Sequence, residues 1–248
     1  MEGTGLTGND LTLSATGGTP PYQYSIDGGA TFGAASAFND LPNETYELEV
    51  LDTNNCSVTG SITINLIVAA EFSITDASCS NTADGSLTVV SIEGGEAPYT
   101  YQLGTGPAQD SPVFENLPAE EYALTITDAN GNLFQIAGLL VGAPAPLTLS
   151  AEVTLSDLAL LAEGGTPPYS YSIDGGATFG DDFIFAGLPN GTYAIVIEDA
   201  NGCTVAGQAT INIITSAAAS VVEVSCAGAA DGRINVNGVE GGSPPYTY

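Results

Sequence analysis

Basic residues are almost missing from this 248-residue chain: a single Arg, Arg233, and no Lys or His face 29 acidic residues, for a formal net charge of −28. A chain with one cationic side chain cannot neutralise a run of phosphates, which argues against nucleic acid and against docking on an anionic membrane surface. Without His or Lys the usual general bases and activated nucleophiles are also gone, and only carboxylate chemistry is left. The acidic pairs Glu120 with Glu121 and Asp181 with Asp182 read as solvated loops, so the chain reads as no enzyme and no catalytic residue is assigned. Trp is absent, which removes the largest aromatic platform on which a sugar could stack. No run approaches the ~18 consecutive apolar residues of a membrane span, and the N-terminus lacks the basic-then-apolar pattern of a secretory signal. The remaining description is a polyanion, whose like charges keep copies soluble and favour an extended arrangement of its parts.

What is present is a repeat. Gly-Gly-x-x-Pro-Tyr-x-Tyr occurs four times, beginning at Gly17, Gly94, Gly164 and Gly241, so successive copies lie 77, 70 and 77 residues apart. Every second copy is separated by 147 residues, and the chain alternates two related repeats, A and B. The period divides it into small units: an A repeat over 1–67 with its first strand cut short, a B repeat over 68–143, an A repeat over 144–215 and part of a B repeat over 216–248. Aligning Gly17 on Gly164 sets Met1 opposite Thr148, inside a strand, and the expectation is a segment of a longer chain.

Short runs of Val, Ile, Leu, Thr and Tyr punctuated by 31 Gly and 14 Pro predict strands and turns with essentially no helix. Pro fixes the entry to a strand in which Tyr22, Tyr24 and Ile26 share a face, repeated by Tyr99, Tyr101 and Leu103 and by Tyr169, Tyr171 and Ile173. In the A repeats this strand runs into SIDGGATFG, from Ser25 and from Ser172, where Asp-Gly-Gly predicts a hairpin. Leu-Pro-x-x-x-Tyr follows at Leu41, Leu117 and Leu188 and leads into a period-two strand: Tyr46, Leu48 and Val50 on one face, Glu47 and Glu49 on the other. Tyr122 and Tyr193 open the equivalent strands. A Tyr just past a Pro turn, at the start of the penultimate strand, fits the tyrosine corner of immunoglobulin-like sandwiches. The fold class is therefore all-β: a tandem array of small immunoglobulin-like β-sandwich domains, expected to form an elongated rod. These nine Tyr are assigned to the core.

GGTPPYSYSIDGG, LPNGTY and DANGC, in that order and spacing, resemble the SprB-type repeat of cell-surface adhesins from gliding bacteria, over nearly the whole chain. The resemblance implies a very long, extracellular protein of the bacterial cell surface, built of tandem repeats, exported by type IX secretion and serving gliding motility and surface attachment. Family repeats commonly carry two Cys, one near the start and one in the DANGC turn, whereas each repeat here has one.

The A repeats hold the late Cys, Cys56 and Cys203, and the B repeats the early one, Cys79 and Cys226, with Asn132 at the late position of B. Four Cys allow three connectivities. Cys56 to Cys79 and Cys203 to Cys226 both span 23 residues and keep the repeat symmetry, so in an oxidising, extracellular setting bridges from each A repeat to the following B repeat are expected, with four free thiols as the alternative. The A-to-B linker Ile64–Ala70 has no Gly or Pro and is expected to run as one strand into the next repeat, while the B-to-A linker Gly142–Pro146 is stiffened by Pro.

The turns that open at Asp52, Asp128 and Asp199, with Asn54, Asn130 and Asn201 two residues on, resemble the start of calcium loops, but Asn and Gly also suit a tight turn and no bidentate Glu follows. No metal or other cofactor is assigned, with Ca²⁺ the ion to test at these residues. SIDGGATF resembles the Asp-box hairpin, a structural turn in the proteins that carry it. Asn43, Asn55 and Asn190 head glycosylation sequons. The eleven Tyr are used up by the two core motifs, leaving Phe183 and Phe185 near Asp181 as the remaining aromatic candidates for sugar contact.

The leading expectation is a structural stalk or filament segment of an extracellular adhesin, whose partners are neighbouring repeats of its own chain and other copies of itself through lateral or end-to-end association. The alternative is a calcium- or glycan-binding adhesive module.

Overall fold

The computed structural model describes residues 3–247. Tyr248, the last Tyr of the fourth motif copy, lies outside them. Every regular element among the described residues is a β-strand, and all pairings between strands are antiparallel.

The same six-strand plan recurs. In the first repeat β1 (Gly3–Thr7), β2 (Asp10–Ser14) and β4 (Ala37–Phe38) form one sheet, and β3 (Gln23–Ser25), β5 (Thr45–Leu51) and β6 (Ser57–Thr63) the other. In the second, β7 (Ile67–Thr75), β8 (Gly85–Gly94) and β10 (Val113–Leu117) face β9 (Thr100–Leu103), β11 (Glu120–Thr127) and β12 (Leu133–Val141). The third sets β13 (Thr148–Thr154), β14 (Asp157–Glu163) and β16 (Ile184–Phe185) against β15 (Ser170–Ser172), β17 (Gly191–Glu198) and β18 (Thr204–Ile211). The fourth contributes the hairpin β19 (Ile214–Val222) and β20 (Arg233–Gly241).

Alternation drives each sandwich. In β5, Tyr46, Leu48 and Val50 are buried while Glu47 is exposed, and in β14 Leu158 and Leu160 are buried while Asp157 and Glu163 are exposed. The inner faces of both sheets meet in one core per repeat: Leu11 and Leu13 with Tyr46 and Leu48; Leu87 and Val89 with Tyr101, Leu124 and Ile126; Leu158 and Leu160 with Ile195, Ile197 and Ile211. Each fully buried Leu or Ile contributes roughly 1.5–3 kcal/mol by leaving water. Among the described residues the tyrosine corner is present three times, the Tyr hydroxyl donating to the Pro carbonyl four residues back: Tyr46 to Pro42 (3.0 Å), Tyr122 to Pro118 (3.0 Å) and Tyr193 to Pro189 (2.8 Å). Two packed antiparallel sheets joined in this way make the protein a tandem array of immunoglobulin-like sandwiches.

By compactness the chain divides into Met1–Asp76 with Ala83–Gly142, and Ala77–Thr82 with Ala143–Tyr248. Within the first unit, the linker between repeats is not the continuous strand expected: β6 ends at Thr63 and β7 begins at Ile67. The cause is a side-chain clasp. The Asn43 amide donates to the Leu66 carbonyl (2.7 Å) and accepts from the Leu66 N–H (3.0 Å), and the Asn65 amide does the same to the carbonyl and N–H of Gly95 (2.7 and 3.1 Å). Backbone groups that a strand would have given to a ladder are thus satisfied by Asn side chains. The second unit repeats the clasp: Asn190 bonds both polar groups of Ile213 (2.9 and 2.8 Å), and Asn212 donates to the Gly242 carbonyl (3.0 Å).

Candidate functional site

In each of the first three repeats the Gly-Gly turn meets the late Asp turn at one corner. In the third repeat Gly164 and Gly165 adopt φ of +75° and +60°, a left-handed conformation that costs Gly little. A Cβ on Gly165 would also sit 2.6 Å from Asp199 Oδ2, closer than real Cβ contacts run. The turn therefore needs Gly for two reasons, backbone and space. The first Tyr of the motif closes it: Tyr169 donates to the Gly164 carbonyl at 2.7 Å, and Tyr22, Tyr99 and Tyr246 do the same to Gly17, Gly94 and Gly241 at 2.6, 3.0 and 2.9 Å. All four copies carry a cis peptide before the second residue of their Pro-Pro or Ala-Pro pair.

Asp199 is the hub. Its carboxylate is 5% exposed and accepts the backbone N–H groups of Asn201 (2.9 Å), Cys203 (2.9 Å) and Thr166 (2.7 Å), so the late turn and the Gly-Gly turn hang on one side chain. Asp52 takes the N–H groups of Asn54, Cys56 and Thr19, each at 2.9 Å. The Thr19 and Cys56 amides hold its carboxyl below the usual range. Asp128 is the variant of the B repeat. Burial pulls its carboxyl upward, but the Asn132 side chain (2.9 Å) and the N–H groups of Asn132, Glu96 and Asn130 outweigh it and leave the carboxyl lowered. Asn132 stands where the A repeats have Cys, and its amide replaces a donor that a thiol supplies poorly.

These are the residues the sequence offers to calcium. Their carboxylate oxygens are engaged by amides, and Asn54, Asn130 and Asn201 contribute backbone N–H groups to the turn rather than oxygens toward a cation. Among the described residues no group of three or more His, Cys, Asp or Glu could hold a metal ion.

The SIDGGATF hairpins are built alike. Ser25, 1% exposed, donates to Asp27 (2.7 Å) and accepts from the Gly29 N–H (2.9 Å), and Asp27 accepts from the Thr31 N–H and hydroxyl (2.8 and 2.6 Å). The Thr31 hydroxyl, then Ser25, lower the Asp27 carboxyl to about 2. Ser172, Asp174, Gly176 and Thr178 repeat the geometry, and the Asp174 carboxyl is lowered too, by Thr178 and Ser172 first.

The nine Tyr assigned to the core differ in depth. Tyr46 and Tyr101 are buried; Tyr24, Tyr99, Tyr122, Tyr169, Tyr171 and Tyr193 are half-buried against the clusters; Tyr22 is half-buried. Phe183 is 52% exposed with its ring 6.3 Å from that of Tyr171, and Phe185 packs on the core. Asp181 and Asp182 are exposed.

The cysteine pairing differs from both expected bridges. Cys79 is bonded to Cys203, with S–S 2.06 Å and Cα–Cα 5.7 Å, across a sequence separation of 124; Cys56 and Cys226 are free and exposed. Neither Cys56–Cys79 nor Cys203–Cys226 forms, because the early loop of the B repeat, Ala77–Thr82, clusters with the repeats that follow it. It meets the late turn of the next A repeat, where Asn201 Nδ2 donates to the Ser78 carbonyl at 3.0 Å. A spacing of 23 residues along the chain does not bring these loops and turns together in space. Sequence reasoning also missed the Asn43, Asn65, Asn190 and Asn212 clasps, whose recurrence at 147 residues was the available signal.

Three stretches of the chain, 10–31, 72–108 and 218–248, match the family model described as the SprB repeat. The Asp turn and the free or bridged late Cys lie outside the matched stretches, whereas the Gly-Gly turn is inside each of them. No curated protein matches. Among solved structures the chain is similar to extracellular domains 3–5 of Drosophila OTK, at 10% identity and a TM-score of 0.27, over 80% of this chain and 89% of that one.

Proposed function

We propose, from the three stretches that match the SprB repeat, that the chain is a stalk segment of an extracellular surface adhesin, a part that spaces and presents rather than binds or catalyses. The observation that supports this reading is the fate of the repeated polar residues. Asp, Ser, Thr, Tyr and Asn that recur from repeat to repeat spend hydrogen bonds on partners within the fold: Asp199 on three amides, Thr31 on Asp27, Tyr193 on Pro189, Asn190 on Ile213. A binding module would keep some recurring polar groups aimed outward at a ligand. The exposed carboxylates of the −28 chain keep the surface hydrated and oppose aggregation. Type IX export and a part in gliding belong to the same proposal.

The test is a binding screen on the isolated 248-residue chain. Beads coated with it are offered to a glycan array and to host and bacterial cells, with 2 mM-scale calcium (about the extracellular range of weak sites) and with chelator. A stalk captures nothing above uncoated beads in either condition. Saturable capture of a glycan, or capture that needs calcium, refutes the reading and favours an adhesive module.

A further inference from the structure

Two cysteines are left over, one of each kind: Cys56 in a late turn and Cys226 in an early loop, both exposed. The bridged pair consists of one of each kind as well, Cys79 from an early loop and Cys203 from a late turn. The free halves are already folded as the bridged ones are. At the late turn, Asp52 accepts from Asn54 and Cys56 at 2.9 Å each, as Asp199 does from Asn201 and Cys203 at 2.9 Å each. The turn carbonyls of Cys56 and Cys203 both accept at 3.0 Å from the N–H of their Asp. At the early loop, the Ala229 N–H donates to the Cys226 carbonyl at 3.0 Å, and the Thr82 N–H to the Cys79 carbonyl at 3.3 Å.

The amide that makes the recognition contact is held in the same way at both late turns. Asn201 Nδ2 donates both to Thr166 Oγ1 (3.1 Å) and to the Ser78 carbonyl of the incoming loop (3.0 Å). Asn54 Nδ2 makes the equivalent bond to Thr19 Oγ1 (2.8 Å), and an amide nitrogen has a second N–H to give. Beside Cys56 the surface is an open recess of about 200 Å³ lined by Ala15, Gly17, Tyr22, Val50 and Val58. Burial makes the contrast: Cys79 and Cys203 are 8% and 9% exposed in their bridge, while their unpaired counterparts stand in solvent.

We propose that Cys56 and Cys226 are the two halves of a second bridge of the Cys79–Cys203 kind, closed head to tail between copies of this chain. The early loop around Cys226 of one copy seats at the late turn around Cys56 of the next. The inference rests on the repeat geometry and is independent of the stalk reading. In a glutathione redox buffer the chemistry is thiol–disulfide exchange. The Cys56 thiolate attacks oxidised glutathione, forming a mixed disulfide and releasing one glutathione thiolate. The Cys226 thiolate of the second copy then attacks the Cys56 sulfur and releases the other. Two protein thiols lose two protons and two electrons, and one glutathione disulfide is reduced to two thiols.

Wild-type chain in reduced and oxidised glutathione is expected to give a ladder of dimers, trimers and longer species on non-reducing gels, collapsing to monomer under reductant. Digestion without reduction should yield a Cys56–Cys226 peptide pair from the multimers beside the Cys79–Cys203 pair. C56S alone and C226S alone should lose the ladder and stay monomeric, and the two mixed should form dimers and nothing longer. Both substituted residues are exposed, and an intact Cys79–Cys203 pair reports that each variant is folded. Monomer only, dimers from either single variant as readily as from the mixture, or a Cys56–Cys226 bridge within one chain would each overturn the proposal.

Discussion

Replacing Asp199 with Ala tests whether one carboxylate holds the corner of a repeat together. The substitution keeps the backbone bonds of the turn, Asp199 N–H to the Cys203 carbonyl and Gly202 N–H to the Asp199 carbonyl at 3.0 Å each, and removes the acceptor for Thr166, Asn201 and Cys203. A hydrogen bond to a charged group is worth roughly 1.5–3 kcal/mol, which sets a ceiling of about 4.5–9 kcal/mol for the three. The corner lies at the surface, and water entering the space left by the carboxylate recovers over half of that, leaving a net loss of about 3 kcal/mol. For a domain of this size each kcal/mol moves the midpoint by about 4–8 °C, so the third repeat should melt roughly 12–24 °C lower. Differential scanning calorimetry reads this, with the first repeat as internal control because its own hub, Asp52, is untouched. Asp199→Asn keeps one acceptor and should fall between the two. The Cys203 N–H loses its anchor as well, so the Cys79–Cys203 bridge should be reduced faster by dithiothreitol. A shift below about 4 °C, under about 1 kcal/mol, with unchanged reduction kinetics would refute the hub.

Other outcomes follow from the same geometry. Leu158→Ala empties a fully buried position in the third core and should cost about 2–5 kcal/mol by denaturant unfolding. Tyr193→Phe removes only the hydroxyl that reaches Pro189 and should cost about 0.5–1.5 kcal/mol, the same measurement separating corner from ring. Asp27 has its carboxyl lowered to about 2 by Thr31 and Ser25, below the ordinary ~3.9 of the unfolded chain. Its stabilisation is therefore complete above about pH 4 and lost as pH falls toward about 2; Asp27→Asn should flatten that part of a melting-temperature profile. At the alkaline end, burial and then Glu44 raise the Tyr46 phenol. The protonated phenol belongs to the folded state, so its contribution is lost as pH climbs past ~10, and Tyr46→Phe should remove that loss from alkaline unfolding curves.

Much of the fold was legible because the motifs do local work. Leu-Pro-x-x-x-Tyr announces the corner, since the Tyr needs only the carbonyl four residues back. Gly-Gly-x-x-Pro-Tyr closes on itself within five residues, and period two in β5 and β17 declares which face is core. Asp52, Asp128 and Asp199 were visible as a repeated turn, but an Asp that binds amides and an Asp that binds a cation look alike until their donors are placed. The disulfide was not legible, because the choice among three connectivities depends on which loop meets which turn, and 23 residues of chain is no guide to that. The Asn clasps were hidden by their own ordinariness: Asn in a loop after Pro needs no explanation until its amide is seen to bond both polar groups of a residue 23 positions away.

Those clasps bear on how the protein is made. Asn43 and Asn190 head Asn-x-Thr sequences, and the nitrogen to which a eukaryotic secretory pathway would attach a glycan is the Nδ2 that donates to Leu66 and Ile213. A sugar attached there would crowd the backbone that the amide holds, so a chain glycosylated at Asn43 or Asn190 is expected to carry altered joints at Leu66 or Ile213. Expression host is thus a structural variable for this chain, and Asn43→Gln or Asn190→Gln, introduced to silence the sequon, removes the clasp along with the glycan.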